Sequence, residues 1–348
     1  MIRIGNREVG PGARPYLIAE MSGNHNQSLD RALEIVDAAA ASGADAVKLQ
    51  TYTADTMTLN VRAPGFVIED PKSLWAGRQL YELYEEAHTP WDWHKPIMDR
   101  ASAHGMHCFS TPFDDTAVDF LESLDVPAYK IASFEATDLP LIAKVAKTGK
   151  PMIVSTGMAT VAEIDEAVRT ARDNGNDQVI LLKCTSTYPA TPENTNIRTI
   201  ESMRATFGVD IGMSDHTMGC GVSVAAVGLG AVLIEKHFTL ARADGGVDST
   251  FSMEPAEFRM LRDETERAWQ SLGRTTYGGT AAEEASRAFR RSLYIATDIP
   301  AGTELTRENL RIVRPGFGLP PKFFDQMLGK RVTRAATAGT PLSWDLVG

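Results

Sequence analysis

The feature that most constrains this chain is a repeated alternation of short apolar runs with amphipathic segments. Eight runs have the length and apolar content of buried strands: 16–20, 46–50, 106–110, 128–131, 152–155, 179–183, 210–213 and 232–234. Each is followed by a segment of helical periodicity: 28–42, 91–104, 116–124, 139–147, 161–174, 197–207, 221–230 and 255–272. Such alternation predicts a parallel sheet. Eight units over about 255 residues favour a closed (β/α)8 TIM barrel over an open doubly wound sheet.

Two departures from this alternation predict the domain organisation. After residue 272 the pattern changes to short strands and turns, so we expect a barrel domain over 1–272, a linker over 273–290 and a small, mostly-β domain over 291–348. The second departure is an insertion, residues 51–90, between the second strand and its helix. Loops of this length in compact domains are usually functional.

Composition excludes several function classes. With 348 residues, of which 43% are apolar, the chain can bury a large core, and its formal net charge of -10 argues against a nucleic-acid-binding surface. No apolar segment is long enough to predict a membrane span. The three cysteines, Cys108, Cys184 and Cys220, lack C-x-x-C spacing, which favours reduced, buried thiols. We expect a cytoplasmic protein with no membrane or nucleic-acid partner.

Polar and ionisable residues end all eight predicted strands, where barrels of this class carry their chemistry. Four of these residues are lysines, and a lysine directed into a barrel needs an anion nearby. We therefore expect a small phosphate or carboxylate ligand, with neutral donors from strand-end hydroxyls. No Gly-rich phosphate-binding motif opens a helix, which disfavours a nucleoside phosphate. The lysines are Lys48, Lys130, Lys183 and Lys236, and the hydroxyls are those of Thr111, Ser133, Ser155 and Ser214.

Two histidines follow neighbouring strands of the predicted barrel. His216 comes directly after the seventh strand, and the eighth ends in Glu235, Lys236 and His237. Charged groups left dry and unpaired are costly, so such an ending predicts a partner, a metal or contact with water. We expect the two imidazoles to bind a catalytic divalent ion with positions open for substrate.

Seven motifs at these strand ends resemble the sialic acid synthase family. They are Ala19-Glu-Met-Ser-Gly-Asn-His-Asn26, Ala46-Val-Lys-Leu-Gln-Thr-Tyr52, Phe109-Ser-Thr-Pro-Phe113, Tyr129-Lys-Ile-Ala-Ser133, Ser155-Thr-Gly-Met158, Ser214-Asp-His-Thr217 and Glu235-Lys-His-Phe-Thr239. The resemblance runs from about residue 14 to the C-terminus, and the last segment resembles the SAF domain, which is related to type III antifreeze proteins. It implies an enzyme that condenses phosphoenolpyruvate with an open-chain amino-sugar aldehyde and water, releasing phosphate and a nine-carbon 2-keto acid.

The resemblance also implies roles for individual residues. His216 and His237 match the ligands of a Mn²⁺ or Mg²⁺ ion that polarises the aldehyde, and Glu20 matches a carboxylate that handles the attacking water. Glu135 and Asp248 match further catalytic or sugar-contacting carboxylates. Tyr188 and Arg314 match sugar-binding positions, with the arginine supplied by the partner subunit of a domain-exchanged homodimer. The residues that match the phosphoenolpyruvate site are Lys48, Gln50, Thr111, Lys130, Ser133, Ser155 and Ser214.

Three further stretches resemble one subfamily, the pseudaminic acid synthases. They are Thr53-Ala-Asp-Thr-Met-Thr58, Cys184-Thr-Ser-Thr-Tyr-Pro-Ala-Thr-Pro-Glu-Asn194 and Arg242-Ala-Asp-Gly-Gly-Val-Asp248. This implies 2,4-diacetamido-2,4,6-trideoxy-altropyranose as the sugar. Ser186 replaces an asparagine of the neuraminate synthases, and their corresponding loop differs from 242–248, so both changes count against N-acetylmannosamine. We expect insertion 51–90 to cover the sugar.

Alternatives remain at this point. N-acetylneuraminate and legionaminate synthases would keep the chemistry and change the sugar. A Schiff-base aldolase would instead use Lys130 or Lys183 as nucleophile. A non-catalytic sugar-binding protein would retain the cleft without turnover.

Overall fold

The computed structural model describes residues 1–71 and 73–348, and the chain divides into two compact units, Met1–Gly273 and Arg274–Gly348. Position 72, within the predicted insertion, lies outside the described residues. No helix of the described chain is long and apolar enough to cross a membrane.

Eight parallel strands close the first unit into a barrel, so the predicted TIM-barrel fold is confirmed. The last barrel strand pairs with the first from Leu233 opposite Tyr16 to His237 opposite Glu20, which closes the cylinder. Nearly all strand residues are buried, as expected for a parallel sheet covered by helices. The strands are β3 (Tyr16–Glu20), β4 (Ala46–Thr51), β5 (His107–Pro112), β6 (Tyr129–Ile131), β7 (Met152–Ser155), β8 (Val179–Cys184), β9 (Asp210–Ser214) and β10 (Leu233–His237).

Helices surround the barrel, and their starts follow local capping chemistry. Ser28 accepts a hydrogen bond from the Arg31 amide at the first helix, and Thr160 and Glu163 form a capping box. Each helix packs an apolar stripe against the strands. The surrounding helices are α1 (Leu29–Ala41), α4 (His94–Ala103), α5 (Asp115–Ser123), α6 (Leu139–Ala146), α7 (Val161–Asp173), α8 (Thr199–Phe207), α9 (Gly221–Gly228) and α10 (Pro255–Leu272), with α2 (Ala54–Met57) and α3 (Leu80–Ala87) inside the insertion.

An N-terminal hairpin, which the sequence pattern did not reveal, precedes the barrel. Its strands β1 (Ile2–Ile4) and β2 (Arg7–Val9) pair antiparallel, and Ile4 and Val9 are fully buried in the barrel core. Three-residue strands are too short to show a period, which explains why this element was missed.

The insertion 51–90 has its own backbone framework. The Ile68 amide donates to the Arg78 carbonyl at 2.9 Å, and the Leu80 amide donates to the Phe66 carbonyl at 2.9 Å. These bonds hold two short segments side by side in an antiparallel arrangement, with an isolated bridge between Val67 and Gln79. The insertion is therefore a folded element.

The second unit is a small, mostly-β structure with a core of its own. Strands β11 (Ser292–Ile295) and β12 (Leu310–Val313) pair antiparallel, and one short helix, α11 (Phe324–Met327), follows. Between the barrel and β11, Ala281–Phe289 form a 3-10 helix within the segment predicted as a linker.

Candidate active site

Two lysines and two glutamates form a buried cluster at the C-terminal end of the barrel strands. Lys48 Nζ lies 2.6 Å from Glu20 Oε2 and 3.9 Å from Glu235 Oε2. Lys130 Nζ lies 3.5 Å from Glu235 Oε1. None of the four side chains is more than 5% exposed. We call Glu20, Lys48, Lys130 and Glu235 the strand-end cluster.

Burial and mutual attraction set the protonation states of this cluster. Burial raises the pKa of Glu20, and Lys48 offsets part of that rise. Burial would also raise the pKa of Glu235, but Lys130 and Lys48 outweigh it and lower that pKa. Burial lowers the pKa of Lys130, against the attraction of Glu235. Glu235 is therefore the carboxylate held in its charged form, whereas Glu20 is poised to accept a proton.

Hydroxyl and amide groups surround the strand-end cluster. Lys48 Nζ donates to Thr111 Oγ1 at 3.1 Å, Ser214 Oγ donates to Glu235 Oε1 at 3.2 Å, and Gln50 Nε2 donates to Glu20 Oε1 at 2.9 Å. The structure thus brings together these predicted anion-binding residues. The predicted phosphoenolpyruvate-binding residues also include Ser155, whose hydroxyl is buried, and Ser133, which hydrogen-bonds with Cys184.

Several buried polar atoms near the cluster have no hydrogen-bond partner among the described residues. Ser155 Oγ, Glu135 Oε2 and His237 Nδ1 are of this kind. Native proteins satisfy the great majority of buried polar atoms, so each exception needs an explanation. A polar ligand would satisfy all three.

The two predicted metal ligands lie side by side, with ring centroids 5.4 Å apart. His216 Nδ1 lies 2.9 Å from the Thr185 carbonyl oxygen, and it must donate there because a carbonyl only accepts. This fixes the orientation of the ring. Burial alone would lower the pKa of His216, but the hydrogen bond and charge of Cys184 outweigh burial and raise that pKa above its ordinary value. Burial, together with the charge of His216, lowers the pKa of His237 well below its ordinary value, so that imidazole is neutral.

This pair fits a divalent ion, because imidazole nitrogens are common metal ligands and the buried His237 Nδ1 has no hydrogen-bond partner among the described residues. Metal binding would release the proton that is favoured on His216. Asp248 Oδ2 lies 3.9 Å from His237 Nδ1, so a carboxylate oxygen is close to the pair. Among the described residues, no group of three or more His, Cys, Asp or Glu side chains has the arrangement of a complete metal site.

Aromatic rings surround the histidines. The Tyr188 ring centroid lies 4.5 Å from that of His216, and the Phe251 centroid lies 4.9 Å from that of His237. The Trp75 ring is 6.1 Å from Tyr188 on its other side. This packing fixes the imidazoles and excludes water from one side of the site. Sequence reasoning placed Tyr188 here but gave no role to Phe251.

The loop that carries Asp248 is held from two directions. Ser22 Oγ donates to the Asp248 carboxylate, and Trp75 Nε1, from the insertion, donates to the Val247 carbonyl at 3.1 Å. Positive φ angles at Gly245 and Gly246 allow the turn that brings the carboxylate back towards the barrel. Asp248 is thus positioned jointly by the first βα loop and the insertion.

A cavity of about 520 Å³ joins these features. Gln50, Glu135, Tyr188, His237 and Asp248 contribute polar and aromatic groups to its lining. The insertion contributes further lining residues: Met57, Ile68, Ser73, Trp75, Leu80, Leu83, Tyr84 and Ala87. Burial raises the pKa of Glu135 to about 7.

Two of the four strand-end lysines do not face the site, and that part of the prediction was wrong. Lys236 Nζ donates to the Thr217 carbonyl and pairs with Asp215 Oδ2 at 3.1 Å. Lys183 Nζ donates to the Cys184 carbonyl at 2.7 Å. Successive side chains of a strand point to opposite faces, so Glu235 and His237 face the site and Lys236 cannot.

Two further residues were missed as site candidates. Glu235 occupies the inward position two residues before His237, so the two-residue period could have identified it. Cys184 is a buried, free thiol, as predicted, but its hydrogen bond with His216 was not foreseen. Burial alone would raise its pKa, but the hydrogen bond and charge of His216 lower it to about 6. Arg314 lies in the second unit and its side chain is exposed.

Sequence profiles match both units. A NeuB family profile matches residues 35–277, and a SAF domain profile matches residues 290–348. The chain belongs to the NeuB family. Sialic acid synthases of the NeuB family generally depend on a metal ion, and the predicted family and enzyme class are confirmed.

Curated relatives extend over nearly the whole chain. A pseudaminic acid synthase of Campylobacter jejuni is 42% identical over 341 residues, which is 98% of each chain. That of Helicobacter pylori is 42% identical over 332 residues, covering 95% of this chain and 97% of the relative. An N,N'-diacetyllegionaminic acid synthase of Legionella pneumophila is 35% identical over 346 residues, which cover 98% of this chain and 97% of the relative.

Solved structures agree with this assignment. An N-acetylneuraminic acid synthetase from Leptospira borgpetersenii, in complex with citrate, superposes with a TM-score of 0.72 at 30% identity, covering 82% of this chain and 94% of the other. The spore coat polysaccharide biosynthesis protein SpsE from Bacillus subtilis superposes with a TM-score of 0.68 at 34% identity, covering 100% of this chain and 99% of the other.

Proposed function

We propose that the chain is a metal-dependent pseudaminic acid synthase. It condenses phosphoenolpyruvate with the open-chain form of 2,4-diacetamido-2,4,6-trideoxy-altropyranose and water, giving pseudaminic acid and phosphate. The observation that carries this proposal is the meeting of the buried strand-end cluster, with its two lysines, and the histidine pair at one end of the barrel. The 42% identity to pseudaminic acid synthases over 98% of the chain supports this choice of sugar.

Phosphoenolpyruvate binds, in this proposal, at the strand-end cluster. Lys48 and Lys130 face its carboxylate and phosphate, and the unpartnered hydroxyl of Ser155 gains an acceptor. Fixed donors that point at a developing charge stabilise the transition state without reorganising. Gln50, Thr111, Ser133 and Ser214 complete this set.

The chemistry joins C3 of phosphoenolpyruvate to the aldehyde carbon of the sugar. The aldehyde oxygen takes a proton to become a hydroxyl. Water adds to C2 and gives one proton to Glu20, whose raised pKa suits that role. The C2–O bond then breaks, the phosphate leaves with the electron pair, and loss of the second water proton forms the ketone. Glu135 and Asp248 position the sugar and exchange protons with it.

His216 and His237 would hold Mn²⁺ or Mg²⁺. When bound, the ion supplies Lewis-acid polarisation of the sugar carbonyl. In the same proposal the enzyme acts as a domain-exchanged homodimer, in which Arg314 reaches the sugar of the partner subunit.

A Schiff-base aldolase is the second candidate, favoured by one observation. Burial lowers the pKa of Lys130, as an amine nucleophile requires. Lys183 donates to a backbone carbonyl, so only Lys130 remains a reasonable nucleophile.

A sugar panel with phosphate detection separates these functions. The protein is incubated with Mn²⁺, phosphoenolpyruvate and, in turn, the trideoxyaltrose derivative, the legionaminic precursor and N-acetylmannosamine, with and without EDTA. We expect phosphate and a nine-carbon keto acid with the first sugar, both abolished by EDTA. No phosphate with any sugar contradicts the synthase. Borohydride-trapped pyruvate on Lys130, insensitive to EDTA, supports the aldolase.

A further inference from the structure

The insertion contributes a group of apolar side chains to the lining of the cavity. We call Met57, Ile68, Leu80 and Leu83 the insertion wall, and all four line the cavity together with Tyr84. The same cavity is also lined by the polar side chains of Gln50, Glu135, His237 and Asp248. A small sugar in this cavity therefore meets both polar partners and the four side chains of the insertion wall, which present only apolar surface.

The insertion wall is positioned by its own backbone framework. Ile68 is fixed twice, since its amide donates to the Arg78 carbonyl at 2.9 Å and its carbonyl accepts from the Gly77 amide at 2.7 Å. Leu80 is fixed by its bond to Phe66, and it opens the helix that carries Leu83. The buried Gln79 side chain, whose Nε2 donates to Asn60 Oδ1 at 3.1 Å, braces the same segment. These hydrogen bonds fix the positions from which Ile68, Leu80 and Leu83 reach the cavity.

Physical chemistry decides which substituents this wall accepts. A methyl group placed against it leaves water at a gain, whereas a hydroxyl loses its water partners and finds no new ones. The polar lining differs, because Glu135 Oε2 is buried without a partner and accepts from a sugar N–H or O–H. The cavity is therefore suited to a sugar that carries both methyl groups and hydrogen-bond donors.

We propose that the insertion wall is the specificity determinant of the site, and that it recognises the methyl groups of a 6-deoxy, doubly N-acetylated amino sugar. The inference rests on the proposed function and adds the residues that discriminate. Apolar pockets discriminate between such substituents by about 10- to 200-fold per group. A 6-hydroxyl analogue should thus lose kcat/KM by roughly that factor.

The test uses Ile68→Thr, Leu80→Thr and Leu83→Thr, which each place a hydroxyl on the wall. Ile68→Val keeps the wall apolar. Val67→Thr is the matched control, because Val67 is the neighbour of Ile68 on the same short segment and does not line the cavity. Thermal unfolding of each variant shows that it is folded.

The readout is the ratio of kcat/KM for the trideoxyaltrose derivative to that for its 6-hydroxy analogue. We expect at least one wall variant to shift this ratio about 5-fold or more towards the hydroxylated sugar, with Ile68→Val and Val67→Thr unchanged. An unchanged ratio in all three folded threonine variants overturns the inference. So does a wild-type ratio near one.

Failure of the proposed function gives a different result. If the wild type releases no phosphate with any sugar, the same comparison is made by equilibrium binding of the two sugars. Tighter binding of the 6-deoxy sugar, weakened selectively in a wall variant, then supports the inference without the reaction. Equal affinity of wild type for the two sugars overturns it.

Discussion

The two ends of the barrel both concentrate buried charge, but they treat it differently. At the N-terminal end, Asp45 meets Arg7, Arg14 at 3.1 Å and Arg262 at 2.9 Å, and it accepts from the Leu17 amide at 2.8 Å. At the C-terminal end, the strand-end cluster lies among polar atoms that have no hydrogen-bond partner among the described residues. The first arrangement is complete in itself.

The difference indicates what each end does. A fully paired buried charge holds hairpin, strand and helix together, because removing one partner leaves another charge unpaired. An incompletely satisfied polar group costs stability and persists where a ligand completes it. Changes at the N-terminal end should therefore affect folding, and changes at the C-terminal end should affect turnover.

The largest expected effect is on turnover. Glu20→Gln should lower kcat by about 10²- to 10⁴-fold, because the group that takes the proton from water is lost. Its free energy of unfolding should fall by no more than about 1.5 kcal/mol, since Lys48 keeps Glu235 and Thr111 nearby. The rate of phosphate release measures kcat, and urea unfolding measures the free energy of unfolding. Equal activity of Glu20→Gln and wild type would remove Glu20 from the mechanism.

The second effect concerns stability at the opposite end. Asp45→Asn should lower the free energy of unfolding by about 3–5 kcal/mol, because three arginines lose their common carboxylate. The kcat of the folded fraction should stay within about 2-fold of wild type, since the change is remote from the site. Denaturant unfolding and steady-state kinetics on one preparation check both. A variant with normal stability and low kcat would reverse the contrast between the two ends.

The third effect is a pH dependence of stability from Glu135. Burial favours its neutral form and raises its pKa from 4.5 to about 7 in the folded protein. The contribution of the neutral Glu135 carboxyl to the free energy of unfolding is fully present below pH 4.5, and it is lost as the pH rises through about 7. Relative to wild type, Glu135→Gln should therefore become more stable between pH 5 and pH 8, by at most about 3 kcal/mol. Urea unfolding of both proteins at pH 5 and pH 8 measures this difference in the free energy of unfolding. A difference that is the same at both pH values would contradict the prediction.

The smallest effect tests how the insertion is connected to the site. Trp75→Phe keeps a ring beside Tyr188 and removes the donor to the Val247 carbonyl. One such hydrogen bond contributes about 1 kcal/mol, so we expect kcat to fall about 5-fold with little change in the KM for phosphoenolpyruvate. Steady-state kinetics with each substrate varied in turn gives the two constants. If only the KM for phosphoenolpyruvate changed, Trp75 would not be a residue that positions Asp248.

The sequence predicted the barrel well because each strand and helix has a strong local period. The helix Pro255–Leu272 was predicted with its observed bounds, and the strand Met152–Ser155 likewise. The resemblance singled out the histidine pair, whose rings lie 5.4 Å apart, and Lys48, which pairs with Glu20, while their roles stay predictions. These predictions depend on residue type and order, which a sequence carries directly.

What failed depended on which face of a strand a side chain occupies. The apolar run of the last barrel strand was taken to end at Ile234, and the three ionisable residues after it were all counted as strand-end groups at the site, with no account of the alternation between them. The strand continues to His237, paired with Glu20 of the first strand, and its alternation turns Lys236 towards Asp215. The backbone framework of the insertion could not be predicted from the sequence for another reason. Its hydrogen bonds join two short segments whose residues show neither a helical nor a strand period.

The most direct test of the contrast between the two ends is phosphoenolpyruvate binding by calorimetry. Wild type, Asp45→Asn and Lys130→Met are compared under the same conditions. The account predicts similar affinity for wild type and Asp45→Asn, and at least a 10-fold weaker affinity for Lys130→Met, because a charge-assisted contact to the anion is lost. Equal affinity in all three proteins would contradict the claim that the strand-end cluster is the phosphoenolpyruvate site.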